Sequence, residues 1–134
     1  MALANIYRGY INIPSTKQPI TLNFTGAATV NVNCYYDIVS NTVSLYIPFF
    51  NVIATSNGLL TANLPLNLTP IHDFSFIGST INSTGPGFSS ETQGIITIST
   101  SGVITISRDI TYDQFTQGNQ CGVYTGKTLI YNLN

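Results

Sequence analysis

The chain runs to 134 residues, 43% of them hydrophobic with 8 Tyr and 7 Phe, which is enough apolar surface for one packed core and argues against disorder. Charged residues make up only 7% and the net charge is −1, so the chain offers no field for steering towards nucleic acid or anionic lipid. Nothing approaches the roughly 18 apolar residues of a membrane span, and Arg8 interrupts the apolar residues of the first segment, so no secretory signal is visible.

Polarity comes instead from 18 Thr, 14 Asn and 12 Ser, residue types that favour strands and turns over helix interiors. Residues 1–19 read as an N-terminal strand or a connection to a stem or partner. From Ile20 onward the signal has period two, the mark of strands with one buried face. Ile20, Leu22 and Phe24 alternate with Thr21, Asn23 and Thr25; Ala28, Val30, Val32, Cys34, Tyr36 and Ile38 then alternate with polar residues and Tyr35.

After Ser40 and Asn41 the apolar parity shifts to Val43, Leu45, Ile47 and Phe49. Pairing Ile38 with Val43 sets Tyr36 against Leu45 and Cys34 against Ile47, which keeps one apolar face throughout a hairpin. Tyr35 and Tyr46 then fall on the opposite face, exposed or covered by a neighbouring subunit. Leu60, Ala62, Leu64, Leu66 and Leu68 share a further face, with Pro65 suggesting an edge strand or bulge.

Phe74 and Phe76 mark another short strand, and Ser79 to Gln93, with Gly85-Pro86-Gly87, reads as the longest surface loop. In the next hairpin, a three-residue loop Thr100-Ser101-Gly102 sets Ile98 against Ile104 and Ile96 against Ile106, and requires Gly102 at positive φ. Lys127 to Leu133 closes the chain, with Leu129, Tyr131 and Leu133 facing inwards. The reading is one all-β domain, 1–134, without helices.

Chemistry is sparse. Gly122-Val-Tyr-Thr-Gly126-Lys127-Thr128 resembles a phosphate-binding loop, but three residues separate its glycines where four are needed and only six residues follow, too few for the helix that would hold a phosphate. A turn into the last strand is the plainer reading. The single histidine, His72, precedes Asp73, and no Gly-x-Ser-x-Gly elbow accompanies it, so a hydrolase built on His72 is a remote alternative.

Asp109 and Asp113 stand about 13 Å apart if extended, beyond glycosidase spacing; folded as a turn they suit internal hydrogen bonds better than calcium, because a closing Glu and the Gly of a calcium loop are missing. Cys34 and Cys121 allow one disulfide or two buried thiols, the latter being the plainer choice, and with one distant His they make no zinc signature. Three sequons, at Asn23, Asn67 and Asn82, are common currency in so Asn- and Thr-rich a chain. No catalytic, metal or cofactor site is expected. Tyr10, Tyr35, Tyr46, Phe88 and Tyr124 are the candidates for a sugar-stacking platform.

The run of short strands, the segment from Gly94 to Ser107 and the closing strand Thr128-Leu-Ile-Tyr-Asn-Leu133 are similar to the jelly-roll head shared by tumour necrosis factor, complement globular heads, and viral and phage fibre tips. The resemblance implies an antiparallel β-sandwich, a jelly roll of about eight to ten strands, assembled as a homotrimer with variable loops facing the partner. Within it, Tyr124 and Tyr131 are the expected trimer-interface residues and Thr84, Phe88 and Ser89 the expected partner-binding loop.

The implied function is that of a virion structural protein. The resemblance implies a fibre head or capsid-surface module at the virion surface or outside the cell, contacting other virion proteins and a host-surface protein or glycan. Neither nucleic-acid binding nor membrane insertion is expected. A monomeric carbohydrate-binding β-sandwich is the alternative.

Overall fold

A computed structural model describes residues 17–81 and 90–134. Among the described residues ten strands form, in chain order: β1 Gln18–Gly26, β2 Val30–Val39, β3 Thr42–Ile47, β4 Phe50–Ile53, β5 Leu60–Asn63, β6 Phe74–Ile81, β7 Glu91–Ile98, β8 Val103–Ile106, β9 Gln120–Val123 and β10 Lys127–Asn132. All pairings are antiparallel, and the strands join in one curled sheet of order β10-β3-β2-β1-β5-β8-β7-β6-β9-β4.

The curl turns on β1. Most of this strand pairs with β2, from Gln18 opposite Tyr36 to Phe24 opposite Val30, but its last two residues, Thr25 and Gly26, pair with Thr61 and Leu60 of β5. At the crossing Gly26 has φ +102°, and a Cβ there would stand 2.1 Å from the Leu59 carbonyl oxygen. Only glycine fits so close an approach of two backbones.

The curl brings the alternating apolar rows of both halves face to face. Leu22, Phe24, Val43, Leu45, Ile47 and Leu129 from one half meet Leu60, Ile96, Ile98, Ile104, Ile106 and Val123 from the other. Phe24 stacks on Phe50 at 5.4 Å and Phe74 leans on Tyr131 at 5.8 Å. Each large apolar side chain so buried contributes about 1.5–3 kcal/mol. The buried Tyr131 hydroxyl donates to the Leu68 carbonyl at 2.8 Å, so the one polar atom of that ring is satisfied.

Both hairpin registers hold. Ile38 faces Val43 and Tyr36 faces Leu45 across a two-residue loop, Ser40-Asn41, in which Ser40 takes φ +54°. Ile98 faces Ile104 and Ile96 faces Ile106, with Gly102 at φ +81°. The Gly102 amide donates to the Ser99 carbonyl at 2.9 Å and the Ser99 amide to the Val103 carbonyl at 3.0 Å, the bonding of a type I turn followed by a bulge.

Two expectations fail for local reasons. The apolar row of β5 runs on through Leu64 and breaks at Leu66, because Pro65 leads into a 3-10 turn, Leu66–Leu68, whose three-residue period ends the alternation; Leu66 is 90% exposed while Leu68 is buried. The expected loop from Ser79 to Gln93 is shorter, since Ser79, Thr80 and Ile81 continue β6 and pair with Gln93, Thr92 and Glu91. Ser79 and Thr80 are compatible with the ladder, and the fully buried Thr80 has its hydroxyl satisfied by the Arg108 carbonyl.

Gly102→Ala is expected to destabilise the fold by about 2 kcal/mol, because a Cβ at positive φ is strained and would also lie 2.6 Å from Thr69 Oγ1. Equilibrium denaturant unfolding measures it, and an unchanged midpoint would refute the turn assignment.

Candidate functional site

The residues first suspected of chemistry are dispersed. His72 is exposed in the bend before β6, and the Asp73 carboxylate accepts the Thr100 amide at 3.0 Å, closing the β7–β8 loop. The phosphate-loop look-alike is strand, turn and strand: Gly122 lies in β9 and Lys127 opens β10, with no helix behind it. Cys34 and Cys121 are buried, unpaired thiols on β2 and β9. Burial pushes the Cys34 thiol up to about 12 and the Cys121 thiol up to about 11, which keeps both protonated and inert. Among the described residues no group of three or more His, Cys, Asp or Glu gathers as a metal site.

What the chain does build is the connection of residues 107–119 between β8 and β9. Its base is held from inside: the fully buried Thr80 and Ser107 hydroxyls donate to the carbonyls of Arg108 and Asp109 at 2.8 and 2.7 Å. Its far limb is stitched to residues 54–58. Phe115 and Gly58 exchange backbone bonds, Ala54 bonds to Gly118 and Asn119, and Asn57 Oδ1 accepts the Gln117 amide. Phe115 itself is 1% exposed and anchors the loop in the core.

At the tip, one Asp109 oxygen accepts the amides of Thr111 and Asp113 and the Thr111 hydroxyl, at 3.1, 3.2 and 2.7 Å. The Thr111 hydroxyl bond, with smaller help from the Asp113 amide, Arg108 and the Thr111 amide, holds the Asp109 carboxyl down near a pKa of about 2. Arg108 bridges Asp109 and Asp113 at 3.2 and 3.3 Å. The turn reading of these aspartates therefore holds, with Arg108 occupying the place a cation would take. Ile110 and Tyr112 are left exposed on this tip, Tyr112 at φ +66°.

A second feature is the outer face of β10, β3, β2 and β1. Neighbouring side chains there bond across strands: Thr21 to Asn33, Asn23 to Asn31 and Thr42 to Asn132. Tyr35 lies directly opposite Tyr46, and both rings are exposed, with Val39 and Ile130 on the same face. Asp37 is the one charge that the alternation directs outwards from these four strands. The Tyr46 hydroxyl packs over Gly126, where a Cβ would stand 2.1 Å away, and Tyr124 is exposed two residues before it. Beyond this turn lies a cleft of about 260 Å³ lined by Gly78, Ser79, Glu91, Gln93, Thr125 and Lys127.

The expected interface residues part company. Tyr124 is exposed at the β9–β10 turn, but Tyr131 is 1% exposed inside its own chain's core, so it is corrected from interface to core residue. Its position in the inward row of β10, between Leu129 and Leu133, carried that outcome. Thr84, Phe88 and Ser89, as well as Tyr10, lie outside the described residues. The 107–119 connection went unrecognised as a candidate site, although Gly118, Asn119 and the Asp109-x-Thr111-x-Asp113 spacing announce turns.

No family model and no curated protein matches the chain. Solved structures do. The reovirus attachment protein sigma1, in complex with α-2,3-sialyllactose, superposes with a TM-score of 0.54 at 15% identity, over 88% of this chain and 65% of that one. The head domain of lactococcal phage bIL170 matches with a TM-score of 0.50 at 17% identity, over 87% and 98%. The receptor-binding domain of the avian reovirus fibre sigmaC matches with a TM-score of 0.52 at 14% identity, over 91% and 80%. The chain thus has the β-fold of viral and phage fibre tips.

Asp109→Asn is expected to cost about 0.5–1 kcal/mol at pH 7, the scale of part-exposed hydrogen bonds and ion pairs. Because the folded carboxyl titrates below its ordinary 3.8, its contribution is present above that pH and disappears as pH falls towards 2. Stabilities of the two forms should therefore converge in acid, and a constant difference would contradict the bonding described.

The thiols titrate in the opposite sense. Their folded values exceed the ordinary 9.0, so the stability they lend is present below pH 9 and is lost as pH rises towards 11–12. Native protein should resist iodoacetamide at pH 8 and take up two equivalents once unfolded. Rapid labelling of the native chain would show that the thiols are accessible.

Proposed function

We propose that this chain is the receptor-attachment head of a viral or phage fibre, exposed on the virion and working as a homotrimer. The observation that carries the reading is the likeness to three attachment or receptor-binding heads, one from a reovirus, one from an avian reovirus and one from a lactococcal phage. Their fold is shared at low identity, so the chemistry must be argued from this chain's own surface.

The outer face of β10, β3, β2 and β1 supports assembly. Burying an ion costs several kcal/mol unless it is paired, and this face presents Asn, Thr, Ser and two tyrosines with the single outward charge of Asp37. Six of its amide and hydroxyl side chains are already bonded to one another across strands, so covering them leaves those pairs satisfied. Tyr35 and Tyr46, 48% and 37% exposed, offer the apolar, rigid anchors typical of interface centres, and Tyr124 stands at the rim. The partners on this reading are two further copies of the chain, the rest of the virion, and a host-surface protein or glycan.

Light scattering coupled to size exclusion tests the reading. The expected mass is three times 14.5 kDa. Tyr35→Lys, placing a cation in the centre of the face, should return the mass to that of one chain while leaving the β-sheet circular dichroism unchanged. An unmodified chain that is monomeric at micromolar concentration overturns the trimeric head.

A further inference from the structure

We propose that the cleft beside the Arg108–Asp113 turn is a subsite for a neutral saccharide, with the Tyr112 ring as its stacking face; this deepens the attachment reading and rests on it. The cleft measures about 550 Å³ and is lined by Asn57, Arg108, Tyr112, Asp113, Gln114 and Thr116, above a floor that includes Phe115. Ligand sites generally occupy about 300–1,000 Å³. The clefts at Lys127 and at Asp73, near 260 and 220 Å³, fall short of that range.

The lining selects the ligand class. A sugar ring carries adjacent hydroxyls, each both donor and acceptor, on a frame with an apolar face. Amides at Asn57 and Gln114, a hydroxyl at Thr116, a carboxylate at Asp113 and a guanidinium at Arg108 supply donors and acceptors side by side. Tyr112, 43% exposed, supplies a ring for the apolar face. The same list disfavours a lipid or an aliphatic ligand, since little of it is apolar.

Charge selects further. Arg108 is paired with both Asp109 and Asp113, so one positive and two negative groups leave the turn at −1. A carboxylate, sulfate or phosphate on the ligand would meet net repulsion, and a neutral sugar would not. The loop is also ordered before any ligand arrives, through the buried Thr80 and Ser107 hydroxyls and the backbone bonds to residues 54–58. Little conformational freedom remains to be lost on binding.

The test separates ring from fold. Glycine suits the positive φ at position 112, so Tyr112→Gly should melt no lower than the unmodified chain while removing the stacking face. On an array of printed glucose-, galactose- and N-acetylglucosamine-terminated glycans with sialylated and phosphorylated counterparts, the full chain should retain neutral glycans. Tyr112→Gly should lose at least tenfold in apparent affinity, Tyr112→Phe should keep it and Gln114→Ala should weaken it severalfold. Equal retention by Tyr112→Gly, retention of acidic glycans alone, or no retention at all overturns the subsite. Failure of the trimeric head is read separately, from the mass: a trimer holding no neutral glycan removes only the subsite, and a monomer that holds one removes only the trimer.

Discussion

Everything in this molecule depends on the crossing at Gly26. A ten-stranded sheet has two faces, and a chain of this size has apolar residues enough to cover one of them; the sheet must therefore close on itself. It does so where β1 leaves β2 and joins β5, with Gly26 at φ +102° against the Leu59 carbonyl and the small, buried Ala27 and Ala28 filling the corner. The Ala27 amide donates to Leu59, and its carbonyl accepts the amides of Thr55 and Ser56, so the bend leaves that residue's backbone satisfied. A side chain at position 26 would hold the two halves apart and expose the Phe24–Phe50 stack that they share.

Closure also decides where function can reside. The inner face is spent: Tyr131, a large ring with a polar tip, is consumed by Phe74 and the Leu68 carbonyl, and both thiols are sealed in. Any binding role is left to the outer face and to the connections at the ends of the strands. Of the nine charged residues in the sequence, three stand together in one turn, Arg108, Asp109 and Asp113, where they compensate each other through ion pairs and hydrogen bonds. Concentrating charge there leaves the outer face of the four-strand half nearly free of ions.

The sequence made the paired parts of this fold legible and the unpaired parts much less so. Alternation has period two only while a strand lasts, so Ile38 against Val43 and Ile98 against Ile104 were readable from parity, and Gly102 from the loop length that parity imposed. Parity also puts Tyr131 in the core row, which conflicts with the role in subunit contact that the resemblance to trimeric heads implies. Leu66 was lost because a 3-10 turn after Pro65 changes the period within three residues. The start of the loop after β6 is not legible from composition, because Ser and Thr are at home in strands as well as loops. Least legible is the 107–119 connection, whose cleft depends on Asn57, Gly58 and Thr80 meeting it from elsewhere in the chain.

The electrostatics bear on how such a head would capture its target. A net charge of −1 provides no long-range attraction, so encounter proceeds without steering and binding strength rests on contact alone. A single neutral-sugar contact of stacking and a few exchanged hydrogen bonds is weak, because each bond made replaces one to water. Weakness of that kind is tolerable when sites are repeated on one rigid body: once the first site is held, the others bind at an effective concentration in the millimolar range, and avidity exceeds the single-site affinity by about 10²–10⁴. On the proposed reading, a face with one outward charge for assembly and an internally paired turn for recognition are two parts of one solution, in which low charge would let copies pack together and packing together would compensate for the long-range attraction that low charge forgoes.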